Sequence, residues 1–136
     1  MMLEFTVPGQ PQGKGRPRVT RNGQHTYTPP KTKEYQKLVE NIAWSAAKEY
    51  WCEEPLIATI ECYYQIPKSM PKYKRKLVEE GKLYPMVKPD LDNVAKAILD
   101  ALNDVIYKDD KQVVMLVVNK YYSDSPRVDV IIEVMK

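Results

Sequence analysis

The stretch Lys88-Pro89-Asp90-Leu91-Asp92-Asn93-Val94-Ala95-Lys96, with Asp109-Asp110 further on, holds residue types that chemistry at a phosphate needs. Pro89 keeps Lys88 out of helical geometry. Asp90 and Asp92 therefore fall at the mouth of a helix, where a carboxylate also meets the positive end of the helix dipole. Residues two apart in an extended segment point the same way, so both carboxylates can converge on one cation. Lys96 lies one turn past Asp92 on nearly the same helix face. Asp109-Asp110 stands in the loop entering an apolar strand and returns to the helix start only if the connection doubles back. Clustered carboxylates repel one another and stay ionised together only beside a cation. Hard oxygen ligands suit Mg²⁺ or Mn²⁺. Such a cation polarises a phosphate and lowers the pKa of an attacking water. Each piece alone has an ordinary explanation. An Asp before a helix is a common N-cap, Asp-Asp is commonly a solvated turn, and Lys96 is an i,i+4 partner for Asp92 or Asp100.

A basic region complements this acidic one. Four of the five glycines fall between Gly9 and Gly23, interleaved with Lys14, Arg16, Arg18 and Arg21. Backbone and side chains in such a segment can both approach phosphates closely. Lys72, Lys74, Arg75 and Lys76 form a second patch, which alone would read as a solvated face. Residues 1–37 carry seven bases against two acids, a net of +5, while residues 90–110 carry six Asp against two Lys, a net of −4. A basic and an acidic segment in one small chain suggest a polyanion surface beside a cation site. Tyr27, Tyr73 and Tyr84 are candidates for stacking on exposed bases, although such tyrosines are more often core or rim residues.

The elements that must position these residues are legible in the hydrophobic pattern. Leu3, Phe5 and Val7 alternate as a first strand ended by Pro8-Gly9. Arg16–Thr20 and Gln24–Thr28 read as arms of a basic hairpin around Asn22-Gly23. Thr28 followed by Pro29-Pro30 predicts the cap of a long helix. That helix carries Tyr35, Leu38, Val39, Ile42, Ala43, Ala46 and Tyr50 at helical spacing and ends by Pro55. Leu56–Ile66 alternates as a strand. A short surface helix starts near Ser69-Met70-Pro71 and stops at Gly81. Asp92–Leu102 predicts a core helix with Val94, Ile98, Ala101 and Leu102 on its apolar face and Asn93, Lys96, Asp100 and Asn103 on its polar one. Gln112–Tyr122 is apolar almost throughout, as expected of a strand covered on both faces, within one subunit or at an interface between two. Arg127–Val134 alternates again. The pattern predicts one α+β domain over residues 1–136, a mixed β-sheet packed with helices.

Composition narrows the options. The 136 residues suit a single domain with a core of its own. Two cysteines without a CxxC pattern exclude a disulfide framework and a Cys-type zinc site. One histidine, His25, makes a Ser-His-Asp or Cys-His site a poor fit. The start MMLEFTVPG is not a signal peptide, and no run approaches the roughly 20 apolar residues of a membrane span. A cytoplasmic protein with no membrane partner is expected.

The segment KPDLDNVAKAILDALNDVIYKDDKQV resembles the signature of RusA-type Holliday junction resolvases, and GKGRPRVTRNGQHTYTP resembles that family's N-terminal segment. The order, the spacing of over 60 residues and the chain length fit, so the resemblance spans essentially the whole sequence. It implies a RusA-like fold and a small homodimeric, Mg²⁺-dependent endonuclease, with Mn²⁺ able to substitute. Such enzymes cut four-way DNA junctions by paired symmetric nicks, serve DNA recombination and repair, and are common in prophages. It further implies Asp90, Asp92 and Asp110 as metal ligands. Lys96 would stabilise charge on the phosphate or position the water. Relatives often carry Gly after the DALN stretch, where this chain has Asp104. Two other readings stand beside this one. A restriction-like PD…(D/E)xK nuclease would need its lysine on a strand, whereas Lys96 falls on a helix. A non-catalytic DNA-binding or architectural protein would use these acids only to cap a helix and a turn.

Overall fold

The computed structural model describes residues 2–15, 18–20, 23, 25–27, 29–48 and 51–135, with Arg18, Thr26 and Tyr27 described by backbone only. Period-two alternation builds the sheet. Strand β1 (Met2–Pro8) buries Leu3, Phe5 and Val7 and exposes the residues between them. A two-stranded hairpin, β2 (Arg18–Val19) and β3 (Thr26–Tyr27), precedes helix α1 (Pro30–Ala47). Strand β4 (Leu56–Gln65) buries Leu56, Ala58, Ile60, Cys62 and Tyr64 on one face. Helix α2 (Lys72–Glu79) buries no residue, whereas helix α3 (Leu91–Ala101) buries Val94, Ala95, Ala97, Ile98, Leu99 and Ala101, and Leu102 just beyond it is buried too. A 3-10 turn (Asp110–Gln112) leads into β5 (Val113–Ser123), and β6 (Arg127–Val134) closes the chain.

The main sheet has the order β1-β6-β4-β5. β6 runs antiparallel to both β1 and β4, with Phe5 opposite Val130 and Val130 opposite Ile60. β4 and β5 are parallel, so the chain between them must cross over, and α2 and α3 lie in that crossover. This is the expected mixed α+β sheet. Helices α1 and α3 share one core cluster with the inward residues of β1, β4 and β6. Burying an Ile or Leu side chain in such a cluster stabilises the fold by about 2–3 kcal/mol, so the core fixes α3 and the polar face it presents.

Several expectations change in detail. Helix α1 begins at Pro30 after Pro29, and the expected cap Thr28 lies outside the described residues, as do Arg16, Arg21, Asn22, Gln24 and Tyr50. The helix stops at Ala47, well short of Pro55, because Lys48 turns to φ 54°. Tyr35, Val39 and Ala43 are buried, but Leu38 is 38% exposed. The main correction concerns β5. It is not covered on both faces. It is an edge strand, and Val114, Met115, Leu116 and Val117 stay 43–56% exposed. The physical reason is position: only β4 flanks it, and the helices cover one face of the sheet.

Candidate active site at the mouth of α3

The loop before α3 is held from the sheet. The Tyr64 hydroxyl donates to the Pro89 carbonyl at 2.6 Å, and Lys120 Nζ donates to the Val87 carbonyl at 2.6 Å while lying 5.1 Å from the Tyr64 ring centroid. Tyr64 is fully buried on β4, and Lys120 is its neighbour on parallel β5, beside Cys62 in register. One side chain from β4 and one from the edge strand β5 thus fix the carbonyls on either side of Lys88, and the chain enters α3 at a set angle. The Lys88–Pro89 peptide is cis.

Asp90 occupies the N-cap position of α3 with extended backbone, but its side chain makes no capping hydrogen bond. Asp92 sits in the first turn, and both Asp90 and Asp92 are exposed. Among the described residues neither forms a hydrogen bond or an ion pair. Lys96 is exposed and likewise forms no ion pair, so the bridges to Asp92 or Asp100 that its spacing permits are not made. The ordinary explanations therefore fail for these three residues. They do hold for Asp109. Its side chain accepts from the Lys111 backbone N–H at 2.9 Å, and Gln112 Oε1 accepts from the Asp109 N–H at 3.0 Å, a reciprocal capping box around the 3-10 turn. That bond from the Lys111 amide, and then the shared hydrogen bond with Asp110, lower the Asp109 pKa.

Asp110 takes the opposite direction. Its pKa is pushed up to about 6, by burial first and then by hydrogen bonds shared with Asp100 and Asp109 and by their charges. The Asp109-Asp110 turn is thus associated with Asp100, on the last turns of α3. Among the described residues no three His, Cys, Asp or Glu side chains are grouped so as to hold a metal ion, so Asp90, Asp92 and Asp110 are not drawn into one ready-made ligand set. The crowding at Asp110 is nonetheless an energetic signature that fits a cation: carboxylates held this close favour sharing a proton until a positive charge replaces it.

Lys14 supplies part of that charge. Its Nζ lies 2.5 Å from Asp100 Oδ2, both side chains being partly buried. The ion pair ends a strap, Gly13-Lys14-Gly15, clamped between two helices. The Lys14 N–H donates to the Asn93 carbonyl at 3.3 Å, and the Gly15 N–H donates to Thr32 Oγ1 at 2.9 Å. A Cβ on Gly13 would stand 2.3 Å from Asn93 Nδ2, and one on Gly15 would stand 2.6 Å from Thr32 Oγ1. These glycines are needed for close approach. The strap leads directly into Arg16 and the β2–β3 hairpin, so α1 and α3 together set where the basic arm begins.

The sequence pattern missed Tyr64, Lys120 and Thr32. One signal was available: Lys120 is a lone lysine among the inward positions of an apolar strand. The second patch is on α2, where Lys72, Lys74 and Lys76 are exposed and Arg75 is partly buried. Tyr73 is 67% exposed, and Tyr84 is 53% exposed with its ring 6.3 Å from that of Tyr121. His25 is exposed, at the turn of the hairpin. Asp104 is exposed at φ 61°, in the left-handed region that favours glycine, the residue that the resemblance implies at that position. Asp104 is a backbone feature of the turn after α3.

A mixed sheet carrying an acidic helix mouth, an unpaired lysine on that helix and a clamped basic strap is an arrangement suited to phosphodiesters. The chain matches the family described as Endodeoxyribonuclease RusA over residues 8–133, and it belongs to that family, a family of nucleases acting on DNA. It is also similar to the uncharacterized protein YqaN of Bacillus subtilis (strain 168), 43% identical over 134 residues, covering 96% of this chain and 94% of that one. No helix among the described residues is long and apolar enough to cross a membrane.

Proposed function

We propose that this chain is a cytoplasmic, structure-selective endodeoxyribonuclease that resolves four-way (Holliday) junctions by paired symmetric nicks in DNA recombination and repair. The observation that carries the reading is that Asp90 and Asp92, at the start of α3, and Lys96, one turn past Asp92, make no side-chain hydrogen bond or ion pair among the described residues. A purely structural Asp90 would cap the helix, and it does not. The lysine's place on a helix separates the site from the restriction-like arrangement.

Asp90 and Asp92 would hold Mg²⁺ at the helix mouth, with Mn²⁺ able to substitute; Asp110 is the third ligand that the resemblance implies, although among the described residues it lies with Asp100 and Asp109 and is not grouped with the other two. When bound, such an ion supplies charge at the phosphate and an acidified water. Lys96, one turn from Asp92, meets the negative charge that develops on the phosphate or orients the water. Lys14 holds the strap through Asp100, and Arg16, Arg18 and Arg21 beyond it take phosphates. Lys72, Lys74, Arg75 and Lys76 extend the basic surface along α2. The junction has two symmetric strands to cut, and a homodimer places two sites about one dyad. The exposed apolar edge Val114–Val117 supports a second copy as the occupant of that surface.

The test is cleavage of a labelled mobile four-way junction and of a matched linear duplex, each with Mg²⁺ and with EDTA. Paired nicks on the junction alone, lost in EDTA, are expected. Junction binding without nicking in either buffer would replace the reading with an architectural one.

A further inference from the structure

Beside the acidic mouth lies a groove of about 1050 Å³, walled by Gln12, Lys31, Tyr35, Leu38, Lys88 and Pro89 among others. We infer that this groove captures an unpaired nucleobase from the strand being cut, and so selects which junction sequences are accepted. The inference rests on the nuclease reading above and adds a base-reading subsite to it.

Size comes first. The volume is at the upper end of ordinary ligand cavities, roughly 300–1000 Å³. Such a space admits a nucleotide. The chemistry of the walls is the second argument. Pro89 and the exposed Leu38 give apolar surface on which a base can lie. The exposed Gln12 carboxamide forms no hydrogen bond among the described residues and offers a donor and an acceptor side by side. That pairing is what the edge of a base requires. The Tyr35 hydroxyl, in a side chain only 5% exposed, is buried without a hydrogen-bond partner among the described residues; the Gln12 backbone N–H approaches it outside hydrogen-bond geometry. Lys31 and Lys88 are exposed at the groove against a single acid, Glu34, which suits a ligand attached to phosphates. Place is the third argument. Pro89 is groove wall, and the next residue is Asp90. A strand with its phosphate at Asp90 has its neighbouring nucleotide at this opening. The floor is fixed as well, since the Gly13 backbone is packed against Pro89 and Asn93.

The experiment is an abasic scan. Four-way junctions lacking one base at each position around the crossover are bound in EDTA, by wild type and by Gln12→Ala and Leu38→Glu. Both positions are solvent-accessible, and their folding is checked by thermal melting. For wild type, one abasic position beside the crossover is expected to weaken binding about tenfold, the size of one base–side-chain stacking contact. Both variants are expected to lose most of that penalty while keeping their affinity for the abasic junction. A flat scan in wild type overturns the inference, and so does a penalty of equal size in both variants. Displacement of the junction by free mononucleotides at millimolar concentration would also overturn it, in favour of a soluble-nucleotide site. Nicking of the intact junctions in Mg²⁺ is scored separately, so failure of the nuclease reading and failure of the base-reading groove give different results.

Discussion

Replacing Gly13 by alanine tests whether close packing of the strap on α3 sets the basic arm. The added Cβ would lie 2.3 Å from Asn93 Nδ2, 2.8 Å from Asn93 Cγ and 3.1 Å from Pro89 Cβ. The first two contacts are far inside van der Waals separation, and the third needs a shift of only a few tenths of an ångström. Overpacking of this kind costs about 1–3 kcal/mol. Gly13 does not have positive φ, so alanine also stiffens the unfolded chain and returns about 0.4–1 kcal/mol. The net expectation is a loss of about 1–2 kcal/mol, or about 3–7 °C in melting temperature for a chain of this size. The assay is urea unfolding followed by the fluorescence of Trp44 and Trp51, with the m-value confirming that only stability has changed. The decisive control is the double-mutant cycle with Asn93→Ala. The Asn93 side chain forms no hydrogen bond of its own, its carbonyl being the group that receives the Lys14 N–H. Removing it clears both severe contacts, so Gly13→Ala should cost less than about 0.5 kcal/mol in that background, a coupling near 1 kcal/mol. Equal costs in the two backgrounds would refute the packing argument. Loss of junction affinity in Gly13→Ala, restored in the double variant, would tie the strap to DNA binding.

Asp90→Asn and Asp92→Asn are expected to abolish nicking while junction binding survives, read by cleavage and gel shift on the same preparations. Asp110 has a folded pKa of about 6, above its unfolded value, so its proton favours the folded state and that stability is lost as pH rises from about 4 to 6. In EDTA, the melting temperature of Asp110→Asn relative to wild type should therefore increase over that window; a constant difference would count against the carboxylate crowding. Asp104→Gly should stabilise the protein by about 0.5–1 kcal/mol by relieving a left-handed residue, leaving nicking unchanged, as urea unfolding and the junction assay will report. Val117→Lys, on the uncovered face of β5, should convert a dimer to a folded monomer in light scattering, with helical circular dichroism retained.

Much of this architecture was legible because local pattern and tertiary burial agree. The alternations at Leu3–Val7, Leu56–Tyr64 and Val128–Ile132 became inward faces of one sheet, and Val94, Ile98, Ala101 and Leu102 became the buried side of α3. The pattern failed where an element's neighbours decide its environment. Val113–Val118 has the composition of a doubly covered strand, yet it ends at the edge of the sheet, since composition records that a surface needs covering and not what covers it. The resemblance singles out Asp110 of the two tandem aspartates, but the residue pattern by itself gives no physical reason for the difference. Asp109 and Asp110 differ by one position, and only the 3-10 turn makes the first a cap and leaves the second against Asp100.

The association of Asp110 with Asp100 has a mechanical consequence. Asp100 faces two ways: it holds Lys14 through an ion pair, and its carboxylate beside Asp110 helps to push the Asp110 pKa up. The strap that delivers the basic arm and the turn that carries the third carboxylate therefore depend on one side chain near the end of α3. Asp90 and Asp92 stand at the other end of the same helix, whose buried face fixes its position in the core. One rigid element thus sets the spacing between the two unpaired carboxylates and the anchor of both the DNA-facing strap and Asp110. A change at Asp100 acts on phosphate binding and on the acidic turn together, whereas a change at Asp90 acts on the helix mouth alone. Asp100→Asn should accordingly weaken junction affinity and lower the Asp110 pKa in one step, while Asp90→Asn alters neither, and a titration of Asp110 by carboxyl-detected NMR in the two variants separates the cases.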